Sequence, residues 1–313
     1  MGLESSKILN PNEILNKAID KNLTDFYVGY SGGKDSGIAL DIVAKNYPDN
    51  FKGVLFINTG IATNATINFV NDYCKQKSYP LFIIKPEQVT KKNGEIYSYE
   101  NLVIKYGFPK SAFHTSTMFH LKYFPMRKFV NDRIRDGEKP CIISGVRKFE
   151  SKRRIQKFNE YLYNDHKLWF CSPIFYKSND WVMRYFIEND IKRSPVYNTL
   201  HLSGDCLCGA FAKKEELKLL QMFHPEVFTE IKRLESMIKK YGTQTAQKYN
   251  TWGNHLTATT TEVEQQDTLE SFICSDCILD NGLTNQDNKK FMDDLNDVEK
   301  KIETITKKKL IAK

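Results

Sequence analysis

The sequence predicts an α/β fold in which helices cover both faces of a twisted parallel sheet, followed by a mostly helical C-terminal region. Along the first 200 residues, apolar β-rich runs alternate with stretches of helical periodicity, a pattern typical of parallel sheets. A glycine-rich turn, "SGGKDS", joins the first strand to the helix after it. Beyond residue 200 the strand patterns stop and amphipathic helices follow. We predict three regions: an α/β domain over 1–200, a helical, cysteine-containing region over 201–287 and a charged helix or tail over 288–313.

The individual elements follow from caps and periodicity. Asn10 can cap an opening helix, Pro11 suits its first position and Glu13 completes a capping box. The next runs predict strand, helix, strand, helix and strand in turn over 25–30, 36–47, 51–58, 64–79 and 80–86. A helix over 121–137, strands over 139–147 and 167–175, and a helix over 178–191 capped by Ser178 or Asn179 complete the domain. Helices over 212–242 come last, and Pro225 begins the second of them.

Composition narrows the class of protein. Of the 313 residues, 41% are hydrophobic and 12% aromatic, which is enough for a sizeable core. Lys and Arg total 46 against 38 Asp and Glu, and the net charge of +8 suits a nucleotide, a nucleic acid or simple solubility. No apolar run reaches the roughly 18 residues of a membrane span, and no apolar signal region opens the sequence. We therefore expect a cytoplasmic protein without a membrane partner, whose seven cysteines are thiols or metal ligands.

The turn "SGGKDS" has the composition of an anion site. Its six positions supply flexible glycines, a cation and two hydroxyl donors: Ser31, Gly32, Gly33, Lys34, Asp35 and Ser36. The glycines let a phosphate approach the backbone, and the start of the following helix adds partial positive charge. Asp35 suits Mg²⁺ or the helix N-terminus rather than the phosphate itself. The spacing is neither that of the Walker loop nor GxGxxG, and a tight turn without a ligand is the alternative interpretation.

Other polar and basic residues are expected at the same edge of the sheet. The segments "NTG" and "GVR" each follow a predicted strand, and the carboxyl ends of parallel strands meet at one edge. Arginines in the basic cluster over 147–154 can give forked hydrogen bonds to a phosphate or sulfate, although a solvated helix face is the alternative for that cluster. These candidate nucleotide contacts are Asn58, Thr59, Gly60, Gly145, Arg147 and Arg154. Lys122 is another candidate for contacting phosphate, although taken alone it would be an ordinary surface lysine.

Four of the seven cysteines occur as close pairs. Cys206 and Cys208 lie in the glycine-bounded "GDCLCG", and Cys274 and Cys277 lie in "CSDC". Four thiolates suit tetrahedral zinc or an iron–sulfur cluster, and spacing alone leaves both open, with unliganded thiols as a third reading. The other three cysteines lie in apolar patterns and are predicted to be buried: Cys74, Cys141 and Cys171.

Taken together, these motifs resemble the phosphoadenylyl-sulfate (PAPS) reductase family of PP-loop adenine-nucleotide α-hydrolases. "SGGKDS" resembles the family's PP-loop, and "INTG" its Asp-Thr-Gly turn with Asn58 in place of Asp. "YGFP" followed by "LKYFP" resembles a family segment that leads to a lysine. "SGVRKFESKRR" resembles its Gly-x-Arg-x-x-Glu-Ser-x-x-Arg element, and residues 172–198 its Pro, Trp and Asn-Pro-x-Tyr segment. The matches follow the family's order from about residue 26 to 212.

The resemblance implies a Rossmann-like PP-loop fold, with ATP or a sulfonucleotide bound on the glycine turn. It places Arg147 and Arg154 at anion-binding positions and favours a [4Fe–4S] cluster on the paired cysteines, with zinc as the alternative. Catalysis would depend on Lys34, on Arg147 and on Mg²⁺ held by Asp35, mostly through positioning and charge stabilisation.

One departure from the family bears on the reaction. Sulfonucleotide reductases attack with a cysteine in a Glu-Cys-Gly type motif near the C-terminus, whereas here no cysteine follows Cys277. We therefore favour an ATP-dependent sulfur-transfer enzyme that adenylylates its substrate, releases pyrophosphate and lets a sulfur donor displace AMP. Related tRNA-thiolation and DNA-phosphorothioation enzymes make a sulfur-donor protein an expected partner and nucleic acid a candidate acceptor. The alternatives are a sulfonucleotide reductase and a non-catalytic nucleotide or redox sensor.

Overall fold

The computed structural model describes residues 8–91, 94–110, 114–148 and 160–253, and its centre is a six-stranded sheet. The strands are β1 (Asp25–Gly29), β2 (Phe51–Ile57), β3 (Leu81–Ile84), β4 (Pro140–Ile143), β5 (Leu162–Asp165) and β6 (Leu168–Cys171). They lie in the order β3-β2-β1-β4-β6-β5, and every neighbouring pair is parallel except β5 and β6. The predicted α/β fold with a largely parallel sheet is confirmed.

Helices alternate with these strands and then continue alone. They are α1 (Pro11–Asp20), α2 (Lys34–Asn46), α3 (Asn64–Lys77), α4 (Tyr99–Tyr106), α5 (His114–Met118), α6 (Phe124–Arg135), α7 (Asn179–Glu188), α8 (Tyr197–Leu200), α9 (Glu216–Phe223), α10 (Pro225–Tyr241) and α11 (Gln244–Lys248). Asn10 and Glu13 form the predicted capping box at α1, and Ser178 rather than Asn179 caps α7. No helix in the described part of the chain is both long and apolar enough to cross a membrane.

The main core surrounds the central strands. Phe26, Tyr27 and Val28 of β1 are buried, as is all of β4, because helices shield both faces of a parallel sheet from water. The predicted burial of Cys74, Cys141 and Cys171 is confirmed. Burial raises the pKa of the Cys74 thiol to about 11, so this side chain stays neutral and packs as a small apolar group.

Strand β5 was not anticipated from the sequence. It pairs antiparallel with β6, and the two strands are joined through His166 and Lys167. Both turn residues have positive φ, at 48° and 76°, as a tight hairpin turn requires. Such turns usually carry glycine or asparagine at these positions, so the sequence lacked the usual hairpin signal.

A second apolar cluster lies outside the sheet. It joins Val103 of α4 to Leu220 of α9 and to Ile231 and Leu234 of α10. The helices beyond residue 200 therefore share their core with a helix of the N-terminal part. The boundaries predicted at 200 and 287 remain predictions, and the charged helix or tail predicted over 288–313 lies outside the described residues.

Candidate nucleotide-binding site

Three polar segments meet at the carboxyl edge of the central strands. The glycine turn "SGGKDS", residues 31–36, follows β1 and runs into the start of α2, the segment 58–60 follows β2, and the segment 144–147 follows β4. Since β1 lies between β2 and β4 in the sheet, the glycine turn is flanked by the other two. This is the edge at which open parallel sheets bind their ligands.

The glycine turn presents the start of α2. Gly32 has φ +81°, and Gly33 is the N-cap residue of the 13-residue helix without a side-chain cap of its own. Two serine hydroxyls brace the turn: the Gly33 N–H donates to Ser31 Oγ at 3.3 Å, and the Ser36 hydroxyl donates to the Gly33 carbonyl at 3.2 Å. A helix N-terminus held open in this way favours an anion.

Gly145 packs against the backbone of the same helix. A Cβ atom built on Gly145 would lie 2.5 Å from both the carbonyl carbon of Asp35 and the amide nitrogen of Ser36. No real Cβ contact is that short and the obstacle is backbone, so only glycine fits here without moving α2. The glycine of "GVR" thus sets the distance between β4 and the glycine turn.

We expect Gly145→Ala to displace the first turn of α2 and to destabilise the protein by about 1–3 kcal/mol, as overpacking does. Nucleotide affinity should fall about tenfold or more, since 1.4 kcal/mol corresponds to one decade. Thermal unfolding and calorimetric ATP titration measure the two effects. Gly29→Ala is the matched control, because its Cβ would meet only the Ile143 carbonyl at an ordinary 3.5 Å. Equal behaviour of the two variants would contradict the close fit at Gly145.

The charged residues of the site form a compact set. The Arg147 side chain, on a residue only 2% exposed, places Nε 3.2 Å from Asp35 Oδ1 and donates from Nη1 to Asn179 Oδ1 at 2.8 Å. Lys34 Nζ lies 3.8 Å from the same Asp35 oxygen, and its side chain is 17% exposed. Burial lowers the pKa of Lys34, and the Asp35 charge opposes that shift. Arg147 is therefore placed to hold Asp35 and α2, and Lys34 is the more accessible cation.

Sequence reasoning missed a second wall of the glycine turn. The Ser194 N–H donates to the Gly32 carbonyl at 2.8 Å, and the Tyr197 hydroxyl lies 2.9 Å from where a Gly33 Cβ would be. Arg193 stacks on the Tyr197 ring at 5.4 Å, and its charge helps to lower the pKa of Lys34. The sequence signal for this wall was the segment "KRSPVYN", residues 192–198, which resembles the family's Asn-Pro-x-Tyr element. The resemblance alone does not indicate that Ser194 and Tyr197 contact the glycine turn.

The segment after β2 contacts the turn that carries the first cysteine pair, residues 204–209, which we call the cysteine turn. Asn58 Oδ1 accepts the Gly60 N–H at 3.1 Å, and the buried Thr59 hydroxyl donates to the Asp205 carbonyl at 3.2 Å. Lys122 is only 6% exposed, and its Nζ lies 3.0 Å from Asp205 Oδ2. In the structure, Lys122 forms a buried ion pair with Asp205, the residue before Cys206. Contact between Lys122 and the nucleotide remains a prediction.

Cys206 and Cys208 lie on a turn bounded by two glycines with positive φ, Gly204 at 69° and Gly209 at 90°. Cys206 is half-buried and Cys208 is buried. The Tyr99 hydroxyl and the Trp252 Nε1–H donate to the carbonyls of Cys208 and Leu207, both at 2.9 Å. The turn is therefore hydrogen-bonded from two sides.

The remaining site predictions fall outside the described residues. These are Arg154 with the rest of its basic cluster, and Cys274 and Cys277. Over 8–91, 94–110, 114–148 and 160–253, no group of three or more His, Cys, Asp or Glu side chains is arranged to hold a metal. The metal-ligand role of Cys206 and Cys208 remains a prediction, as does that of Cys274 and Cys277.

A polar network connects the glycine turn to the cysteine turn. Ser194, whose N–H bonds Gly32, also pairs its hydroxyl with Thr66 Oγ1 at 2.9 Å. Thr66 Oγ1 donates in turn to the Ser203 carbonyl, and the Ser203 hydroxyl donates to Asp205 Oδ1 at 2.6 Å. The chain of bonds runs through buried residues, so water competes little with any of its links.

Several solved structures are similar to the chain. A phosphoadenylyl-sulfate reductase from Candida auris in complex with phosphate is 17% identical, with 61% of this chain and 84% of that chain covered and a TM-score of 0.43. An NH3-dependent NAD synthetase from Campylobacter jejuni is 14% identical, with 82% and 95% covered and a TM-score of 0.39. A U34-tRNA thiolase from Methanococcus maripaludis with its [4Fe–4S] cluster is 13% identical, with 74% and 76% covered and a TM-score of 0.38.

The comparison with protein families is more specific. No curated protein matches the chain. The phosphoadenosine phosphosulfate reductase domain matches residues 25–210, from the start of β1 to just beyond the first cysteine pair. This range includes the glycine turn, both flanking segments and Lys122, and it covers more than half of the chain. The chain therefore belongs to the phosphoadenosine phosphosulfate (PAPS) reductase domain family.

Proposed function

We propose that the protein binds ATP on the glycine turn, transfers AMP to an acceptor with release of pyrophosphate, and so prepares the acceptor for sulfur incorporation. The observation that supports the proposal is the geometry of the glycine turn. Gly32 has positive φ, Gly33 opens a 13-residue helix, and Lys34 is the accessible cation beside it. The arrangement suits a pyrophosphate group, which spreads its charge over several oxygens.

In the proposed reaction an acceptor oxygen attacks the α-phosphorus, forming a new P–O bond while the bridging bond to the β-phosphate breaks. Pyrophosphate leaves with the electron pair, and the turn's amides with Lys34 stabilise that charge. A sulfur nucleophile at the sulfide level then attacks the acceptor carbon that carries the adenylylated oxygen. A C–S bond forms, the C–O bond breaks and AMP leaves with the electron pair, so neither step needs an external oxidant or reductant. Arg147 acts by holding Asp35 and the start of α2, as its 3.2 Å contact with the carboxylate supports.

The proposed metals differ in how well the described residues suit them. Mg²⁺ would bind phosphate oxygens, and Asp35 is the carboxylate available at the turn, although its ion pair with Arg147 competes with the metal. For a [4Fe–4S] cluster, or zinc as the alternative, Cys206 and Cys208 would supply two thiolates, and Cys274 and Cys277 the others. A bound cluster would supply iron with high affinity for sulfur near the nucleotide edge.

A sulfonucleotide reductase is the second candidate, and the match to the PAPS reductase domain favours it. A test of both uses full-length protein purified without oxygen. Pyrophosphate release from ATP that depends on an added nucleic-acid or protein acceptor is the expected result. Sulfite release from PAPS or adenylyl sulfate with thioredoxin, without ATP turnover, would replace the proposal by the reductase. Nucleotide binding without either reaction would leave a non-catalytic sensor.

We expect the anaerobically purified protein to be brown and to contain iron with inorganic sulfide. The double variant Cys206→Ser with Cys208→Ser should lose most of that iron, because two of four thiolates are removed. Cys74→Ser is the control, since that cysteine is buried in the main core. Stoichiometric zinc in the wild type would replace the cluster by a zinc site. If the metal content of the double variant were unchanged, Cys206 and Cys208 would not be metal ligands.

A further inference from the structure

A concave surface lies along helix α6, with a volume of about 650 Å³. One face of α6 forms its floor, running from Phe124 to Arg135. The walls are the chain after β3, including Lys91 and Tyr97, and the hairpin residue Lys167. We call this surface the α6 groove.

The lining of the α6 groove contains no residue of the glycine turn. Lys167 directly precedes β6, and Arg135 ends the helix that leads into β4. The first residues of these parallel strands lie at the edge of the sheet opposite their carboxyl ends. The end of the groove at Arg135 and Lys167 therefore lies towards the edge away from the candidate nucleotide site.

Charge is the first property that indicates a partner. The described lining contains a single carboxylate, Asp132, and five basic residues: Lys91, Arg127, Lys128, Arg135 and Lys167. Lys128 and Arg135 both pair with Asp132, yet their side chains are 50% and 75% exposed. One carboxylate cannot neutralise both, and Glu95 beside the groove pairs with Lys91. The groove keeps an excess of positive charge that a polyanion would complement.

Aromatic rings are the second property. Tyr97 and Phe124 stack with ring centroids 5.2 Å apart and planes inclined by 29°, and both are half-buried in the groove wall. The aliphatic residues of the lining, Val89 and Ile134, are also half-buried, so a lipid bilayer would gain little apolar contact here. Cations beside stacked rings in a groove are instead the combination that binds single-stranded nucleic acid.

We propose that the α6 groove binds a single-stranded nucleic-acid segment, with its phosphates on the basic residues and a base against the Tyr97–Phe124 pair. The proposal adds an acceptor class to the proposed function. Binding of nucleic acid in the α6 groove does not depend on ATP turnover at the glycine turn. Either proposal can therefore be contradicted without the other.

The test measures fluorescence anisotropy of a labelled, mixed-sequence single-stranded oligonucleotide with the full-length chain over a series of salt concentrations. Lys128→Glu with Arg135→Glu should weaken binding about tenfold or more and reduce the salt dependence by about two phosphate contacts. Lys239→Glu with Lys240→Glu is the matched control, because it changes the charge equally at exposed lysines in the last turn of α10. It should weaken binding less than about twofold.

Tyr97→Ala separates base stacking from simple charge attraction. It should weaken oligonucleotide binding several-fold and leave binding of polyphosphate, which has no bases, unchanged. Equal losses in the groove and control variants, or no loss in the groove variant, would overturn the proposal. So would binding to anionic phospholipid vesicles without binding to the oligonucleotide. ATP titration of each variant shows whether the nucleotide site is intact, and thermal unfolding shows whether the fold is.

Discussion

Lys34→Ala should lower nucleotide turnover by about 100-fold or more while the fold persists, since removing one preorganised charge-stabilising group typically costs this much. Alanine is the best helix former, and the position begins a helix, so the protein should unfold at nearly the wild-type temperature. Steady-state pyrophosphate release and calorimetric ATP binding measure the loss. Because burial lowers the pKa of Lys34, its charge should be lost at lower pH than for an ordinary lysine, and ATP affinity should fall as the pH rises into that range.

Lys45→Ala is the control for this experiment. It lies on the same helix, but its side chain is half exposed and pairs with Asp41 at 2.8 Å. Surface ion pairs of this kind contribute about 0–1 kcal/mol to stability, and Lys45 lies three helical turns after Lys34. If the Lys34→Ala and Lys45→Ala variants had similar turnover, the assignment of the active site to the glycine turn would be wrong.

Lys122→Met should cause the largest loss of stability, about 3–5 kcal/mol, because it leaves the buried Asp205 carboxylate without its cation. Lys122 Nζ lies 3.0 Å from Asp205 Oδ2, and both side chains are largely buried. Denaturant unfolding followed by fluorescence measures the change. Adding Asp205→Asn to the first substitution should recover part of the stability, since the uncompensated charge is then gone.

Lys128→Met provides the comparison, because Lys128 pairs with Asp132 at 2.8 Å with half of its side chain exposed. Its loss should be under about 1 kcal/mol. If Lys122→Met cost no more than this surface pair, the buried pair would not hold the cysteine turn. A Lys122→Met variant of normal stability but poor ATP binding would instead support the direct nucleotide contact predicted from the sequence.

Local patterns predicted much of the fold. The strand, turn and helix from β1 to α2 and the capping box at Asn10 follow from neighbouring residues. The other elements predicted up to β4 occur in the predicted order, but helices α4 and α5, between β3 and α6, were not predicted. Hairpin β5–β6 was missed because its turn uses His166 and Lys167 at positive φ. Residues of that type rarely mark a tight turn.

The partners within the site could not be predicted in the same way. Asp35 and Lys122 were both assigned to a ligand or metal, but each is held by a residue far along the chain, Arg147 and Asp205 respectively. Neither pairing leaves a periodic or local signal, because it depends on how the strands and loops are arranged in space. The same reason hid Ser194, which bonds the glycine turn from across the structure.

The polar network through Ser194 and Thr66 also bears on how the protein is made. Thr66 bonds Ser194 and Ser203, which lie 128 and 137 residues later in the sequence. Contacts this distant close late in folding, and during synthesis the ribosome must first release the intervening chain. A nascent chain that stops before residue 194 would have β1, the glycine turn and α2 but lack the bond that holds the Gly32 carbonyl. We expect such a chain to bind nucleotide poorly even where its sheet has already formed.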